Sequence, residues 1–184
     1  MGQLNYTAIT SLDGYVADAD GNFDWAAPDA DVHAFVNELE RPTSTYLYGR
    51  RMYEVMSVWE TMPSHPDEPI MQDYAQIWRA ADKVVYSSTL PQVTSARTRI
   101  ERRFEPDTVH TMKAEIQADL SIAGPQLAGQ AMRAGLVDEV RLFLNPTVVG
   151  AGNAALPADL RIDLDLVDEH RFDNGVVYLR YRVL

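Results

Sequence analysis

The feature that most constrains the fold is a run over residues 119–150, in which strand and helix patterns alternate at short spacing. Alternating apolar residues open the run and predict a short strand. Gly124 and Pro125 then begin a helix, because proline lacks the N–H group that would be unpaired at the first helical position. Gly135 ends that helix, and an apolar alternation from Val140 predicts the next strand. A β-α-β unit of this length favours a parallel sheet covered by helices.

The turn at Gly124 is also a candidate anion site. Small residues let a ligand approach the backbone, and the free N–H groups and dipole of the following helix attract negative charge. The same turn is typical of an ordinary strand–helix connection in which glycine meets only a steric need. This stretch alone favours that simpler interpretation.

Two further strands end in residues suited to phosphate. A strand rich in β-formers runs directly into Gly49, Arg50 and Arg51, and arginine can hold a phosphate with two hydrogen bonds. The alternative is that both arginines are solvated on a helix surface. A later strand ends in the hydroxyls of Ser87 and Ser88. Ligands of open α/β sheets bind at the carboxyl ends of the strands, which is where these residues would lie.

The remaining patterns continue the alternation of strands and helices. Asp29 or Asp31 can cap the first helix, whose apolar residues recur at helical spacing from Val32. The further elements are a strand at 4–9, a polar loop at 11–25, a loop at 61–69, a helix at 70–80, an extended segment at 96–103, a helix at 106–118 and a hairpin of strands at 163–172 and 176–184. We therefore expect a single α/β domain over residues 1–184, with a mixed, mainly parallel sheet flanked by helices and a C-terminal antiparallel hairpin.

Composition excludes several classes of function. The chain contains no cysteine, so disulfides, thiolate metal sites and a cysteine nucleophile are excluded. The net charge of -11 argues against binding to nucleic acid or to an anionic membrane. No apolar run approaches the roughly 20 residues of a membrane span and no signal peptide is visible, so we expect a cytoplasmic location. The histidines show no metal-ligand spacing, and we expect no metal site; they are His33, His65, His110 and His170.

Common catalytic motifs are missing from the sequence. There is no P-loop, no His-Glu-x-x-His zinc motif and no Gly-x-Ser-x-Gly turn around a nucleophilic serine. The Gly-x-Gly-x-x-Gly fingerprint of Rossmann domains is also absent. Chemistry that resides on a cofactor, which the protein binds and orients, remains open.

Short motifs spread over nearly the whole chain resemble those of the dihydrofolate reductase-like superfamily. Within it, the chain is most similar to the reductase half of bacterial riboflavin deaminase-reductases. The specificity lies in the order and spacing of the motifs. They are Ser11-Leu12-Asp13-Gly14, Gly21-Asn22-Phe23-Asp24-Trp25, Gly49-Arg50-Arg51-Met52, Ser87-Ser88, Ala123-Gly124-Pro125-Gln126-Leu127-Ala128, Ala134-Gly135-Leu136-Val137-Asp138-Glu139-Val140 and Asn145-Pro146-Thr147-Val148-Val149-Gly150.

The resemblance implies a dihydrofolate reductase-like fold and an NADPH-dependent reductase, which transfers hydride to a small heterocyclic substrate such as a riboflavin-pathway pyrimidine or a pterin-like ring. It also implies where the cofactor binds. The backbone of Ala8 and Ile9 would contact the nicotinamide carboxamide, and Asp13, Gly14 and Trp25 would line the nicotinamide. The phosphates would be held by Gly49, Arg50, Arg51 and Met52, by Ser87 and Ser88 beside the adenosine ribose, and by Gly124, Pro125, Gln126 and Leu127.

The substrate side is less well defined. The resemblance implies a pocket near Trp25, with Tyr53 and Trp59 as further walls. The proton could come from water, Asp24 or Asp31. Riboflavin reductases often carry a glutamate two positions before the Gly-Pro turn, where this chain has Ile122. Dihydrofolate reductases place an acid on the first helix, where this chain offers His33, Phe35 and Asn37.

These departures leave alternatives open. The chain could be a catalytically silent module that binds the nucleotide, or a structural domain in which every glycine turn is steric. We expect a small-molecule substrate as the binding partner. The family often forms homodimers, and exposed edges of the C-terminal strands could pair.

Overall fold

The computed structural model describes residues 1–63 and 67–184. The middle of the predicted loop at 61–69, including His65, lies outside these described residues. The strands, numbered in chain order, are β1 (Leu4–Ser11), β2 (Tyr15–Asp18), β3 (Thr43–Gly49), β4 (Asp82–Tyr86), β5 (Thr98–Glu101), β6 (Asp119–Ala123), β7 (Glu139–Asn145), β8 (Gly152–Ala154), β9 (Leu164–Arg171) and β10 (Val177–Val183). The helices are α1 (Ala30–Glu40), α2 (Arg50–Met56), α3 (Val58–Thr61), α4 (Pro69–Ala80), α5 (Pro106–Glu115) and α6 (Pro125–Arg133).

Eight of the described strands form one sheet in the order β5-β4-β3-β6-β1-β7-β10-β9. The strands from β5 to β7 are parallel, whereas β10 runs antiparallel to both β7 and β9. The mixed, mainly parallel sheet and the C-terminal hairpin predicted from the sequence are therefore confirmed. β1 is at the centre of the sheet although it is the first strand of the chain.

Helices cover both faces of the sheet. Helices α5 and α6 pack on the face that receives Leu4 and Tyr6 of β1, in a core that also holds Val109 and Leu127. Helices α1 to α4 pack on the other face in two clusters, one around Trp78 and one in which α1 packs on β7 and β10. The alternation of side chains along β1 places successive residues against different helices.

Three short elements were not expected. β2 lies in the predicted loop at 11–25 and pairs antiparallel with β8, in a two-stranded sheet separate from the main one. Residues Asp24–Ala26 form a short 3-10 turn in the same loop as β2. None of the three has an apolar pattern long enough to distinguish it from turn residues. The expected extended segment at 96–103 contains β5, and the helix predicted at 106–118 ends earlier, at Glu115.

The start of α1 is fixed by a side chain. Asp29, one of the two predicted caps, is the N-cap residue, and its Oδ1 accepts a hydrogen bond of 3.0 Å from the backbone N–H of Val32. Its Oδ2 accepts a second bond, of 2.7 Å, from Nδ2 of Asn174 in the hairpin turn. The same carboxylate therefore begins α1 and attaches it to the C-terminal hairpin.

Candidate functional site

A step in the sheet forms a crevice at the carboxyl ends of the parallel strands. Tyr6 of β1 pairs with Ile122 of β6, and β6 ends one residue later, at Ala123. β1 continues beside β7 to Ser11, five positions past Tyr6. β1 therefore extends beyond β6 by roughly 13 Å, at about 3.3 Å per residue. This step is the topological position at which open α/β sheets bind ligands.

Backbone groups of β1 face the crevice at Ile9. The backbone of Leu4 and of Leu12 hydrogen-bonds on the β7 side of the strand, whereas that of Gln3 bonds to β6. No register shift interrupts β1 and β7 between Asn5 and Ser11. Strand alternation therefore directs the backbone of Ile9 towards the β6 side, beyond the end of β6. The backbone of Ala8, the other residue predicted to contact a nicotinamide, faces β7 instead.

The turn after β6 lies beside the turn after β3. Gly124 has φ +93°, and a Cβ added to it would lie 3.5 Å from Cβ of Met52 in α2. Pro125 has no N–H, so the first-turn donors of α6 are the backbone N–H groups of Gln126 and Leu127. The side chain of Leu127 is core, with 5% exposure, and only its backbone can serve a ligand.

Gly49 opens space at the end of β3. Its φ of −74° is ordinary for any residue, and a Cβ added there would have no neighbour within 4 Å. The glycine is therefore required neither by backbone strain nor by packing within the chain. A ligand approaching the backbone would explain it.

Arginines connect the turns on this side. Arg50 Nε lies 2.7 Å from Oε1 of Glu54, and its Nη1 donates a 3.1 Å hydrogen bond to Oγ1 of Thr89. Arg51 is exposed, and no hydrogen bond or ion pair engages it within the part of the chain that the structure describes. Arg51 is therefore available to an anion, whereas Arg50 also orients the turn after β4.

The two predicted serines differ in their availability. Oγ of Ser87 accepts hydrogen bonds from the backbone N–H groups of Thr89, at 3.3 Å, and Leu90, at 3.0 Å, so it stabilises its own turn. Ser88 is exposed. Sequence reasoning missed Arg102, which follows β5 and donates to the carbonyl oxygens of Ser87 and Leu90 at 3.1 and 2.7 Å. Arg102 was not predictable because its hydrogen bonds join the segment after β5 to the turn after β4, and this contact forms only in the folded chain.

The loop after β1 is tied to the loop after β7. The carboxylate of Asp13 accepts hydrogen bonds from the backbone N–H groups of Val149, at 3.2 Å, and Gly150, at 2.7 Å. A bond from the Ser11 side chain is the largest of several that lower the pKa of Asp13. The carbonyl of Gly14 accepts the N–H of Ala155. Asp13 and Gly14 thus position the border of the crevice.

Trp25 is the partly buried residue of the 3-10 turn, which packs against β1. Within the described residues its indole N–H is buried and has no hydrogen-bond partner. A buried donor without a partner is uncommon in folded proteins and is typical of a position that a ligand or a water completes. The two predicted proton donors, Asp24 and Asp31, are both exposed.

The first turn of α1 carries a partly buried histidine. α1 leads to the start of β3, so its own first turn, which contains His33, lies at the carboxyl edge of the sheet. The imidazole of His33 is partly buried, with its ring centroid 5.9 Å from that of Trp59 and 5.7 Å from that of Tyr74. Trp59, a predicted wall, therefore shares an aromatic cluster with His33.

A hydrogen-bond chain fixes the tautomer of His33. Nδ2 of Asn37 donates to the carbonyl of Ile70 and to Oδ2 of Asp73, both at 2.9 Å. Its Oδ1 can only accept, so Nδ1 of His33, at 3.0 Å, is the donor. Nε2 is then the ring atom left for a ligand, since no described residue bonds to it. This chain was not visible in the sequence because it requires α1 to pack on α4.

Tyr53, the other predicted wall, lies in the core. It is 4% exposed, and its hydroxyl bonds to Oγ of Ser95 at 2.9 Å while accepting the N–H groups of Thr94 and Ser95. The side chain therefore fixes the segment between β4 and β5 and has little surface to offer to a substrate.

Two clefts lie at the opposite, amino edge of the sheet. One has a volume of about 570 Å³ and includes Arg133, and the other has about 370 Å³ and includes Arg41. Both arginines already pair with aspartates, at 2.6 Å or 3.0 Å. The described residues contain no group of His, Asp and Glu that could hold a metal ion. None of the described helices has the length and apolar character needed to cross a membrane.

Comparisons with known proteins agree with this architecture. An uncharacterized protein, YyaP, of Bacillus subtilis (strain 168) is 28% identical over 178 residues, covering 95% of this chain and 90% of YyaP. A putative riboflavin biosynthesis protein from Shewanella sp. PV-4 superimposes with a TM-score of 0.77 at 17% identity, covering 99% of both chains.

Two further solved structures share the fold. A pyrimidine reductase-like protein from Corynebacterium diphtheriae gives a TM-score of 0.70 at 15% identity, covering 100% of this chain and 92% of that one. A diaminohydroxyphosphoribosylaminopyrimidine deaminase/5-amino-6-(5-phosphoribosylamino)uracil reductase from Thermotoga maritima gives 0.66 at 12% identity, and this chain covers 57% of it. The family model described as the RibD C-terminal domain matches residues 3–178, and the chain therefore belongs to the RibD C-terminal domain family.

Proposed function

We propose that this chain is an NADPH-dependent reductase of a small heterocyclic compound, with a pyrimidine or pterin-like ring as the substrate class. The observation that carries the proposal is the convergence of three turns beside the step in the sheet. Met52 lies beside the Gly124 turn, and Arg50 bonds to Thr89. An extended ligand with phosphates at its middle and one end would contact all three turns.

The residues present fit a dinucleotide. The space above Gly49 and the N–H groups of Gln126 and Leu127 would receive the pyrophosphate. Arg51 and Ser88 would bind the adenosine end, and the backbone of Ile9 would hold the carboxamide. When bound, NADPH supplies the hydride. The protein contributes position and exclusion of water, which are the main terms in this kind of catalysis.

His33 is the residue to which we assign the proton that accompanies hydride transfer. Each hydride added to a C=N or C=O bond requires one proton on the heteroatom. Nε2 of His33 can hold that proton, since Nδ1 is already committed to Asn37. Asp24 and Asp31 are exposed and have ready access to solvent. We therefore assign the proton to His33 and the aromatic surface of the pocket to Trp25 and Trp59.

Cofactor binding tests the proposal directly. We expect NADPH to quench the fluorescence of the three tryptophans saturably and to raise the melting temperature. Arg51→Ala should weaken NADPH binding by about ten- to a hundredfold, because a charge-assisted hydrogen bond is worth ~1.5–3 kcal/mol, and should change NADH binding much less. Arg161→Ala is the matched control, since Arg161 is 88% exposed at the amino edge. No saturable response to millimolar NADPH would refute the proposal.

A second candidate is a module that binds NADPH without turnover. Ile122 favours it, because this position, where riboflavin reductases often carry a glutamate, is a fully buried aliphatic residue with 0% exposure. Tight NADPH binding without oxidation of the cofactor by pyrimidine, pterin or quinone acceptors would support this candidate over the reductase.

A further inference from the structure

The basic residues of the chain are distributed unevenly around the crevice. Residues 1–40 contain no lysine or arginine, and Arg41 is the first basic residue. The same forty residues supply β1, the loop that follows it and α1, which form the substrate side of the crevice. They carry eight acidic residues, of which Glu38 and Glu40 lie in the last turn of α1, towards the amino edge. The other six are on the substrate side: Asp13, Asp18, Asp20, Asp24, Asp29 and Asp31.

The opposite side of the crevice is basic. Arg50 and Arg51 follow β3, and Arg102 and Arg103 follow β5. Both strands are parallel to β1, so all four arginines lie at the carboxyl edge. Their place on the β3 and β5 half of the sheet matches the adenosine end of the dinucleotide, where a phosphate needs positive charge.

Other basic groups near the substrate side are already engaged or face away. Arg79 donates to the carbonyl oxygens of Trp59, Glu60 and Met62 at 2.9–3.1 Å. Arg171, at the end of β9, lies opposite Val177 of β10 in the sheet. Val177 lies opposite Leu144, and this register puts Arg171 on the sheet face away from α1. Neither of these two arginines is therefore available to a substrate phosphate on this side.

The polar groups that remain suit a neutral ring. Nε2 of His33 accepts one hydrogen bond in the neutral ring and donates one in the imidazolium, within an aromatic cluster that includes Trp59. Behind it, Asn37 leads to Asp73, which also pairs with Arg41 at 3.0 Å. The charge of Asp73 is therefore offset, and a dianionic phosphate on this side would be repelled by the exposed carboxylates of Asp24 and Asp31.

We infer that the compound reduced by this chain is an uncharged or cationic ring compound that carries no phosphate group, held through His33 and the aromatic residues. This inference rests on the proposed reductase function and narrows its substrate class. It separates this chain from the Thermotoga maritima protein, which is described as acting on a phosphoribosylamino compound.

The test uses a matched pair of probes that differ only in a phosphate: 5-amino-6-(ribosylamino)uracil and its 5′-phosphate. Competition between the two is measured at saturating NADPH, by turnover and by calorimetric binding to the NADP⁺ complex. We expect the phosphate-free probe to be favoured by about tenfold or more. The preference should narrow at about 0.5 M salt, where charge repulsion is screened.

A charge-reversal pair then locates the effect. Asp31→Lys, at the first turn of α1, should shift the preference towards the phosphorylated probe. Glu115→Lys makes the same charge change at the end of α5, on the other sheet face, and should leave the ratio unchanged. Preference for the phosphorylated probe, equal ratios in both variants, or no binding of either probe at millimolar concentration would overturn the inference. In each of these outcomes saturable NADPH binding leaves the proposed function standing, whereas its loss refutes that function itself.

Discussion

Substitution by alanine should have different effects at the two glycines of the crevice: a loss of stability at Gly124 and a loss of NADPH affinity at Gly49. Gly124 has φ +93° and ψ 122°, a conformation that costs a residue with a Cβ about 1–3 kcal/mol. A Cβ at this position would meet Met52 only at 3.5 Å, an ordinary contact, so the cost is backbone strain. Gly124→Ala should therefore lower the free energy of unfolding by about 1–3 kcal/mol, or roughly 3 °C of melting temperature per kcal/mol.

Gly49→Ala should instead weaken NADPH binding and leave the free energy of unfolding nearly unchanged. With φ −74° and no atom within 4 Å of the added Cβ, the substitution introduces neither strain nor a clash. Alanine makes the unfolded chain less flexible, which stabilises the fold by about 0.4–1 kcal/mol, but it is a weaker N-cap for α2 than glycine. The two effects oppose each other, so the free energy of unfolding should stay within ~0.5 kcal/mol of wild type. The new methyl group would occupy the space proposed for the pyrophosphate. We expect NADPH affinity to fall about tenfold, which is ~1.4 kcal/mol.

Urea unfolding and fluorescence titration with NADPH separate the two effects. Gly135→Ala is the strain control, because Gly135 has φ +66°, no atom within 4 Å of its added Cβ and a place at the other end of α6. It should lose stability without losing affinity. Wild-type NADPH affinity in Gly49→Ala, or a loss of stability as large as that of Gly124→Ala, would show that the space above Gly49 does not hold the pyrophosphate.

Two further predictions concern α1. Asp29→Ala should destabilise by about 1–2 kcal/mol, since it removes the helix cap and the bond to Asn174. In a double-mutant cycle by urea unfolding, Asn174→Ala should cost less once Asp29 is replaced, and the remaining cost is the hydrogen bond that its Oδ1 accepts from the N–H of Val176 at 3.0 Å. Full additivity would contradict the shared carboxylate. Burial raises the pKa of Glu40, against the opposing charge of Arg141. The folded state therefore holds a proton that the unfolded state releases above about pH 4.3. Glu40→Gln should accordingly be more stable than wild type at pH 7, with the difference shrinking as pH falls towards 4, and a difference independent of pH would refute the assignment.

Much of the fold followed from local pattern. The turns at Gly49 and Gly124 and the C-terminal hairpin are each encoded within a few residues, by glycine, proline and period-two alternation. The pairing of β2 with β8 was not predictable in this way, because both strands are short and polar and lie more than 130 residues apart.

In the candidate site, too, local sequence predicted some residues, whereas others depend on packing between distant elements. Arg51 was predictable because it stands beside a glycine turn. The hydrogen-bond chain behind His33 was not, since Asn37 and Asp73 meet only when α1 packs on α4. Tyr53 looked like a pocket residue because of its place after Arg51 and Met52, but its hydroxyl reaches the backbone of Thr94, forty-one positions later.

The place of β1 in the sheet has a consequence for synthesis on the ribosome. Its neighbours are β6 and β7, which begin at Asp119 and Glu139. The first strand therefore has no partner strand until about two thirds of the chain has been made, and its apolar side chains remain exposed until then. Pairings of such large sequence separation close slowly. A nascent chain stalled before Asp119 should consequently be protease-sensitive and a ready client for chaperones.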